Sequence, residues 1–308
     1  MLASLFRRCV PAALALLLAA CAPVYLSPLE RDHPLVGRIW DTRAAAFVTP
    51  EVAIERAVAA RLVLLGEIHD NVDHHRLQER VLAAMLKAGR SPSLAMEQFD
   101  REHQGALDAA RDQGLRDPER IADAGKFDRK GWNWPLYRAL VTRAVAADLP
   151  LLAANVSRED ARALVKAGKP APGLAPAEPT LRALIEQDIV NGHCGHRPPD
   201  AVLAGMIEAQ RARDSQMAAV LAGVPARGAV LIAGAGHTRR DRGAPAYLPA
   251  GTRNESLVIA FVEVEAGKTE PRADYAALYD LVWFTPRAER PDPCKGFRLP
   301  YAPPRKQE

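Results

Sequence analysis

The stretch Leu62-Val63-Leu64-Leu65-Gly66-Glu67 decides the fold. Its apolar residues run without alternation, so neither face of the segment is suited to water, which is the pattern of a strand covered on both sides in a parallel sheet. Working outward, a helix is expected over Asp73 to Ala88, with Leu77, Val81, Leu82, Met85 and Leu86 on one face and Gly89 as its stop. Ser93-Leu94-Ala95-Met96-Glu97 reads as a second strand and Pro150-Leu151-Leu152-Ala153-Ala154-Asn155 as a third. Ser157, with Asp160 three residues on, then opens another helix as a capping-box variant. This alternation predicts an α/β fold with a mostly parallel sheet flanked by helices. The residues between the second and third strands exceed one crossover helix and predict a small all-helical inserted subdomain over about 102–148. Downstream, a loop at 168–179 rich in Pro, Ala and Gly leads to helices at Thr180 to Val190 and Pro199 to Leu221. The remaining strands are expected at Ala229 to Ala233, Leu257 to Val264 and Tyr279 to Phe284. Residues 30–50, punctuated by prolines, read as a linker with a short edge element around Gly37 to Asp41.

At the N-terminus, Arg7 and Arg8 precede an apolar stretch from Val10 to Ala20, well short of the ~20 residues that span a bilayer as a helix. It reads as the core of a signal peptide. The stretch ends Leu18-Ala19-Ala20-Cys21, which resembles the lipobox of bacterial lipoproteins. The expected organisation is a signal peptide at 1–20, a tether and lead-in at 21–50 starting from acylated Cys21, a domain at 51–290 and a tail at 291–308. Such a chain would sit in the bacterial cell envelope, lipid-anchored, at the outer membrane facing the periplasm or the surface. Cys9 would leave with the signal and Cys21 would carry lipid, which leaves Cys194 and Cys294. In an oxidising compartment these are expected to pair as a disulfide. The formal net charge is +4 on 308 residues, with acidic and basic groups interspersed, so no nucleic-acid binding is expected.

Ligands of open α/β sheets gather beyond the carboxyl ends of the strands. Polar residues recur there: Glu67 and His69 after the first strand, Glu97 after the second, Asn155 after the third and His237 after the fourth. Gly66 and Gly236 suit sharp turns or close backbone approach. Glu67, His69, Glu97 and His237 also offer the convergent N and O donors a metal wants, but HExxH and CxxC patterns are absent.

The runs Leu64-Leu65-Gly66-Glu67-Ile68-His69-Asp70-Asn71 with His74-His75, Ala95-Met96-Glu97-Gln98-Phe99-Asp100, Ala154-Asn155-Val156-Ser157-Arg158, Gly192-His193-Cys194-Gly195 and Ala233-Gly234-Ala235-Gly236-His237 appear in this order. Together they resemble the ChaN-like haem-binding lipoproteins of the Tiki/TraB superfamily, over roughly residues 35–290. The resemblance implies haem bound as a face-to-face pair between two subunits, with a tyrosine as axial iron ligand, and a link to iron acquisition. It also implies, through hydrolytic relatives such as the erythromycin esterases and Tiki proteases, that Glu67, His69, Glu97 and His237 descend from a hydrolytic site.

Two functions therefore compete. For haem, a large apolar disc with two carboxylates, Trp132, Trp134 and Tyr137 offer walls and an axial donor, with Lys126, Arg129 and Lys130 for the propionates. Tyr247 is the rival donor, and His74 and His75 are further candidates. The covalent Cys-x-x-Cys-His signature is absent, so bound haem would be exchangeable and would favour a homodimer. For hydrolysis of an ester or amide, with or without a metal, Glu67 would be the general base and His69 and His237 its partners. No Gly-x-Ser-x-Gly nucleophile elbow is present. A structural envelope protein with a decayed site is the third reading.

Overall fold

The computed structural model describes residues 25–297, so the signal peptide at 1–20 and the lipidation candidate Cys21 lie outside the described residues. In chain order the elements are β1 (Ile39–Asp41), β2 (Ala46–Val48), α1 (Pro50–Ala59), β3 (Leu62–Glu67), α2 (Val72–Lys87) and β4 (Ser93–Asp100). A single 3-10 turn at Arg101–His103 leads to α3 (Gln104–Asp112), α4 (Pro118–Ala124), α5 (Trp134–Ala146) and β5 (Leu151–Asn155). Then come α6 (Arg158–Ala167), α7 (Pro179–Gly192), α8 (Asp200–Gly223), β6 (Ala229–Gly234), α9 (Ala235–Thr238), α10 (Ala244–Tyr247) and α11 (Ala250–Asn254). The last three are β7 (Ser256–Glu263), α12 (Tyr275–Leu278) and β8 (Leu281–Thr285).

The eight strands form one sheet in the order β2-β1-β8-β7-β3-β6-β4-β5. Every pair from β8 through β5 is parallel, and β1 and β2 close one edge in antiparallel fashion. All six residues of β3 are buried, as its uninterrupted apolar run requires. Alternate side chains of β3 serve opposite faces: Val63 and Leu65 pack with α1, α2 and α5, whereas Leu62 and Leu64 pack with α8 and α12. The helices between β4 and β5 bury Leu107, Ile121, Phe127, Trp134 and Tyr137 in the first of these layers, so the insert shares the main core.

Three features depart from the sequence reading. The edge element expected around Gly37 to Asp41 is β1, which pairs with β8 from the far end of the chain, Ile39 opposite Trp283, but the linker also holds β2, a second edge strand paired with β1. A strand of three residues such as β2 is too short to show a period. Helix α1 was unforeseen; Thr49 caps it, Pro50 starts it, and it buries only Ala53 and Ala57, a weak apolar signal. Strand β4 continues past Glu97 to Asp100, with a register shift against β5 between Met96 and Asp100. Such irregularities re-aim side chains near functional sites.

Cys194, just after α7, and Cys294 form a disulfide that closes a separation of 100 residues. In the chain-entropy account a loop of this size adds up to ~4–5 kcal/mol of stability. Intact-mass measurement should find neither thiol open to alkylation before reduction. Cys194→Ser should lower the unfolding free energy by about 2–5 kcal/mol; a denaturation curve identical to that of the unsubstituted protein would refute the stabilising role.

Candidate functional site

Strands β3, β6 and β4 are neighbours, so Glu67, the start of α9 and Glu97 meet at one rim. Gly66 lets this happen: a Cβ there would stand 2.4 Å from the Thr238 hydroxyl and 3.0 Å from the Ala235 backbone, so only glycine admits α9 against β3. Gly234 plays the same part toward His69, whose ring would lie 3.0 Å from an added Cβ.

Glu67 is buried at the centre and surrounded by donors. Its Oε1 accepts from the Tyr137 hydroxyl at 2.6 Å and lies 2.9 Å from His69 Nδ1; its Oε2 accepts from Gln78 Nε2 at 2.6 Å and lies 3.3 Å from His75 Nδ1. Burial alone would raise the carboxyl pKa, but the imidazoles of His75 and His69 and the Tyr137 hydroxyl outweigh it and hold Glu67 at about 2. A group so acidic and enclosed is a poor general base at neutral pH. Its geometry is that of an anchor that orients His69.

His69 has 43% of its side chain exposed, which makes it the open member of the cluster. Burial of its remainder favours the neutral ring, yet the hydrogen bond to Glu67 and the charges of Glu97, Glu67 and Asp70 raise its pKa to about 9. Trp132 packs edge-on against it at 4.8 Å between centroids.

A second carboxylate–imidazole chain stands alongside. The Gly234 backbone N–H donates to Glu97 Oε2 at 2.7 Å, His237 Nε2 lies 3.5 Å from Glu97 Oε1, and His237 Nδ1 lies 2.6 Å from Asp214 Oδ1. Burial opposes a charged His237, but Glu97 and Asp214 together raise its pKa. Asp214, buried in the middle of α8, escaped the sequence reading. Glu208, Arg211 and Asp214 recur every three residues and all three are buried, but Gln210, Arg213, Ser215 and Gln216 in the same stretch hide that pattern in the sequence. Glu208 and Arg211 form an ion pair at 2.8 Å. Gln78 and Gln98, also unforeseen, face Glu67 from α2 and β4.

Several expected site residues have other partners. The Ile68 N–H donates to His74 Nδ1 at 2.9 Å, His74 Nε2 meets Thr285 Oγ1, and burial lowers the His74 pKa to about 3. His75 is buried, with Nε2 2.9 Å from the His69 carbonyl, so neither histidine presents a ring edge at the surface. Asn155 ties β5 to β4 by donating to the Glu97 carbonyl at 3.0 Å. Trp134 is core to the insert and donates to Glu119 at 2.7 Å; Arg129 pairs with Glu119 and Asp123. Tyr137 is fully buried, and burial together with Glu67 pushes its phenol far above 10. Tyr247, in α10, is half-buried, with Arg211 and Asp214 acting on its buried hydroxyl. Among the described residues no group of three or more His, Cys, Asp or Glu has the geometry of a metal site.

The pair Glu67–His69 makes stability depend on pH with a definite sign. Glu67, depressed from 4.5 to about 2, contributes above pH 4.5 and loses its contribution as pH falls toward 2. His69, raised from 6.5 to about 9, contributes below pH 6.5 and loses its contribution as pH rises through 9. The two are both in force between these limits. Histidine NMR should find His69 titrating near 9, and Glu67→Gln should return it toward 6.5 while costing about 3 kcal/mol of stability. An unshifted His69 in the variant would refute the coupling.

The model of a family described as haem-binding uptake, Tiki superfamily, ChaN matches residues 53–248. Among solved structures, ChaN of Campylobacter jejuni, described by its cofacial haem binding, shares the fold at a TM-score of 0.68 and 22% identity, covering 80% of this chain and 95% of that one. The type III effector HopBA1 gives a TM-score of 0.44 at 15% identity, covering 86% and 99% of the two chains. RRSP, a MARTX toxin effector domain from Vibrio vulnificus, gives 0.38 at 14%, covering 67% and 35%. No curated protein sequence matches. The chain therefore belongs to the ChaN haem-binding uptake family of the Tiki superfamily.

Proposed function

We propose that the mature chain binds haem reversibly, as an exported, lipid-anchored envelope protein serving haem or iron uptake. The family match carries this reading. Within it, the residues fit unevenly. Tyr137 has its hydroxyl committed to Glu67 and sits in the core, so serving as axial ligand would require it to leave both. Tyr247 suits the role better. Its side chain is half-buried and its hydroxyl is not held by a carboxylate; burial and the charge of Asp214 push its phenol up to about 12, and a bound ferric iron would take the place of that proton. His69 and Trp132 provide an open imidazole beside an aromatic wall. Haem shared face to face between two copies would drive dimerisation, since one copy alone leaves a porphyrin face wet.

Haemin titration of the mature chain should saturate, show a tyrosinate charge-transfer band and shift the protein toward dimer in light scattering. Tyr247→Phe should erase the band, and Tyr137→Phe should leave it. Absence of saturable binding refutes the haem reading; loss of the band in Tyr137→Phe alone moves the ligand to Tyr137.

A second reading is favoured by the Asp214–His237–Glu97 chain next to the open His69. A protonated His69 is placed to act as an acid and the Glu97 carboxylate, oriented by His237, as a base, toward an ester or amide presented at the rim. Hydrolysis of any member of an ester and peptide panel should then be lost in Glu97→Gln with the fold retained. Turnover unaffected by that change would remove this site from the chemistry.

A further inference from the structure

The described chain starts at Tyr25, and the residues that follow are fastened to the first turn of α2. The Leu26 N–H donates to Asp73 Oδ1 at 2.8 Å, the Ser27 N–H to Asp73 Oδ2 at 2.8 Å, and the Ser27 hydroxyl to Asn71 Oδ1 at 3.0 Å. Four residues, Cys21 to Val24, precede this clamp. Even fully extended, four residues reach only ~14 Å. A lipid on Cys21 would therefore hold the bilayer within that distance of Tyr25, whatever path the intervening chain takes.

The surface around the clamp suits such a neighbour. Leu26 at 50% and Val52 at 39% are the large apolar side chains left exposed among the described residues. Leu26 adjoins Tyr25, and Val52 lies in the first turn of α1 beside Glu51; Arg80 of α2 stands within electrostatic reach of both Tyr25 and Glu51. A groove of about 370 Å³ runs between α2 and α5, with Tyr25, Leu136 and Ala139 as apolar wall and Arg76 and Arg80 on its border. These elements all cover the same face of the sheet, the one served by Val63 and Leu65. His75, which contacts Glu67, also borders the groove, so this face adjoins the strand-end rim. Among the described residues no helix is long and apolar enough to cross a membrane, so any attachment here is peripheral to the fold.

We propose that this face, formed by Leu26, Val52 and the α2–α5 groove, rests on the headgroups of the bilayer that anchors Cys21. The inference rests on the lipid-anchor reading. Leu26 and Val52 enter the interfacial layer, Arg80 meets lipid phosphates, and the strand-end rim is held beside the membrane, with the opposite face of the sheet turned away.

The test uses the full chain processed in cells fed a labelled acyl precursor, then reconstituted into phosphatidylethanolamine–phosphatidylglycerol vesicles carrying a nitroxide headgroup quencher. A fluorophore is placed at Val52→Cys or at Glu270→Cys, the latter beside Val264, Tyr275 and Phe284 in the layer served by Leu62 and Leu64. Label incorporation that is lost in Cys21→Ala, with quenching several-fold stronger at position 52 than at 270, is the expected result. Incorporation with equal quenching at the two positions overturns the orientation while leaving the anchor intact. Absence of incorporation overturns the anchor reading itself, and the orientation falls with it.

Discussion

A carboxylate buried at the end of a central strand organises this molecule. Glu67 cannot be hydrated, so its charge survives only because Tyr137, His69, His75 and Gln78 converge on it. Those partners come from the insert helix α5, the loop after β3, and α2. One ionised oxygen pair thus fixes the relative placement of three elements on one side of the sheet. Removing any donor leaves part of that charge unmatched in a medium that penalises it, so the arrangement is cooperative.

The second carboxylate chain is held differently, by close backbone approach. Gly66 and Gly234 leave room for α9 and for the His69 ring, which brings His237 next to Glu97 and beneath Asp214 of α8. The two chains differ in what they leave accessible. Glu67 is spent on structure, whereas His69 is open and both imidazoles are held toward the protonated state by surrounding carboxylates. A rim with a protonated, exposed ring would suit ligand capture and acid catalysis alike, which is why the haem and hydrolytic readings share His69.

The loop between β3 and α2 connects this rim to both ends of the described chain. Asn71 caps α2 and also donates to Glu263 and to the Pro286 carbonyl, while Arg290 bonds both Asp70 and Glu263. Asp73 receives the backbone of Leu26 and Ser27. Four residues beyond Arg290 lies Cys294, bridged to the end of α7. The loop that presents His69 is therefore braced from the N-terminal segment, the last strand and the disulfide-bonded segment together.

The amino-acid sequence by itself determined the β3 strand to the residue, the α2, α7 and α8 helices to within two residues, and the polar residues at four strand ends. These are local properties: apolar runs, helical periods and caps act between neighbours in the chain. The Ser157 cap, accepting from the Asp160 N–H at 3.0 Å, is of the same kind. Tertiary structure alone decided which polar residues became ligands of one another. Nothing local distinguishes Tyr137, buried against Glu67 seventy positions away, from Trp132, which is half-buried beside His69. Asp214 was invisible as a partner of His237 because nothing in the sequence says how α8 packs against the end of β6, which is what brings the two together. Even the three-residue strands at the edge exist only because β8 pairs with β1, which in turn pairs with β2. Side-chain chemistry is written in the sequence, but burial and charge pairing belong to the fold, and it is these that make Glu67 an anchor and leave His69 open.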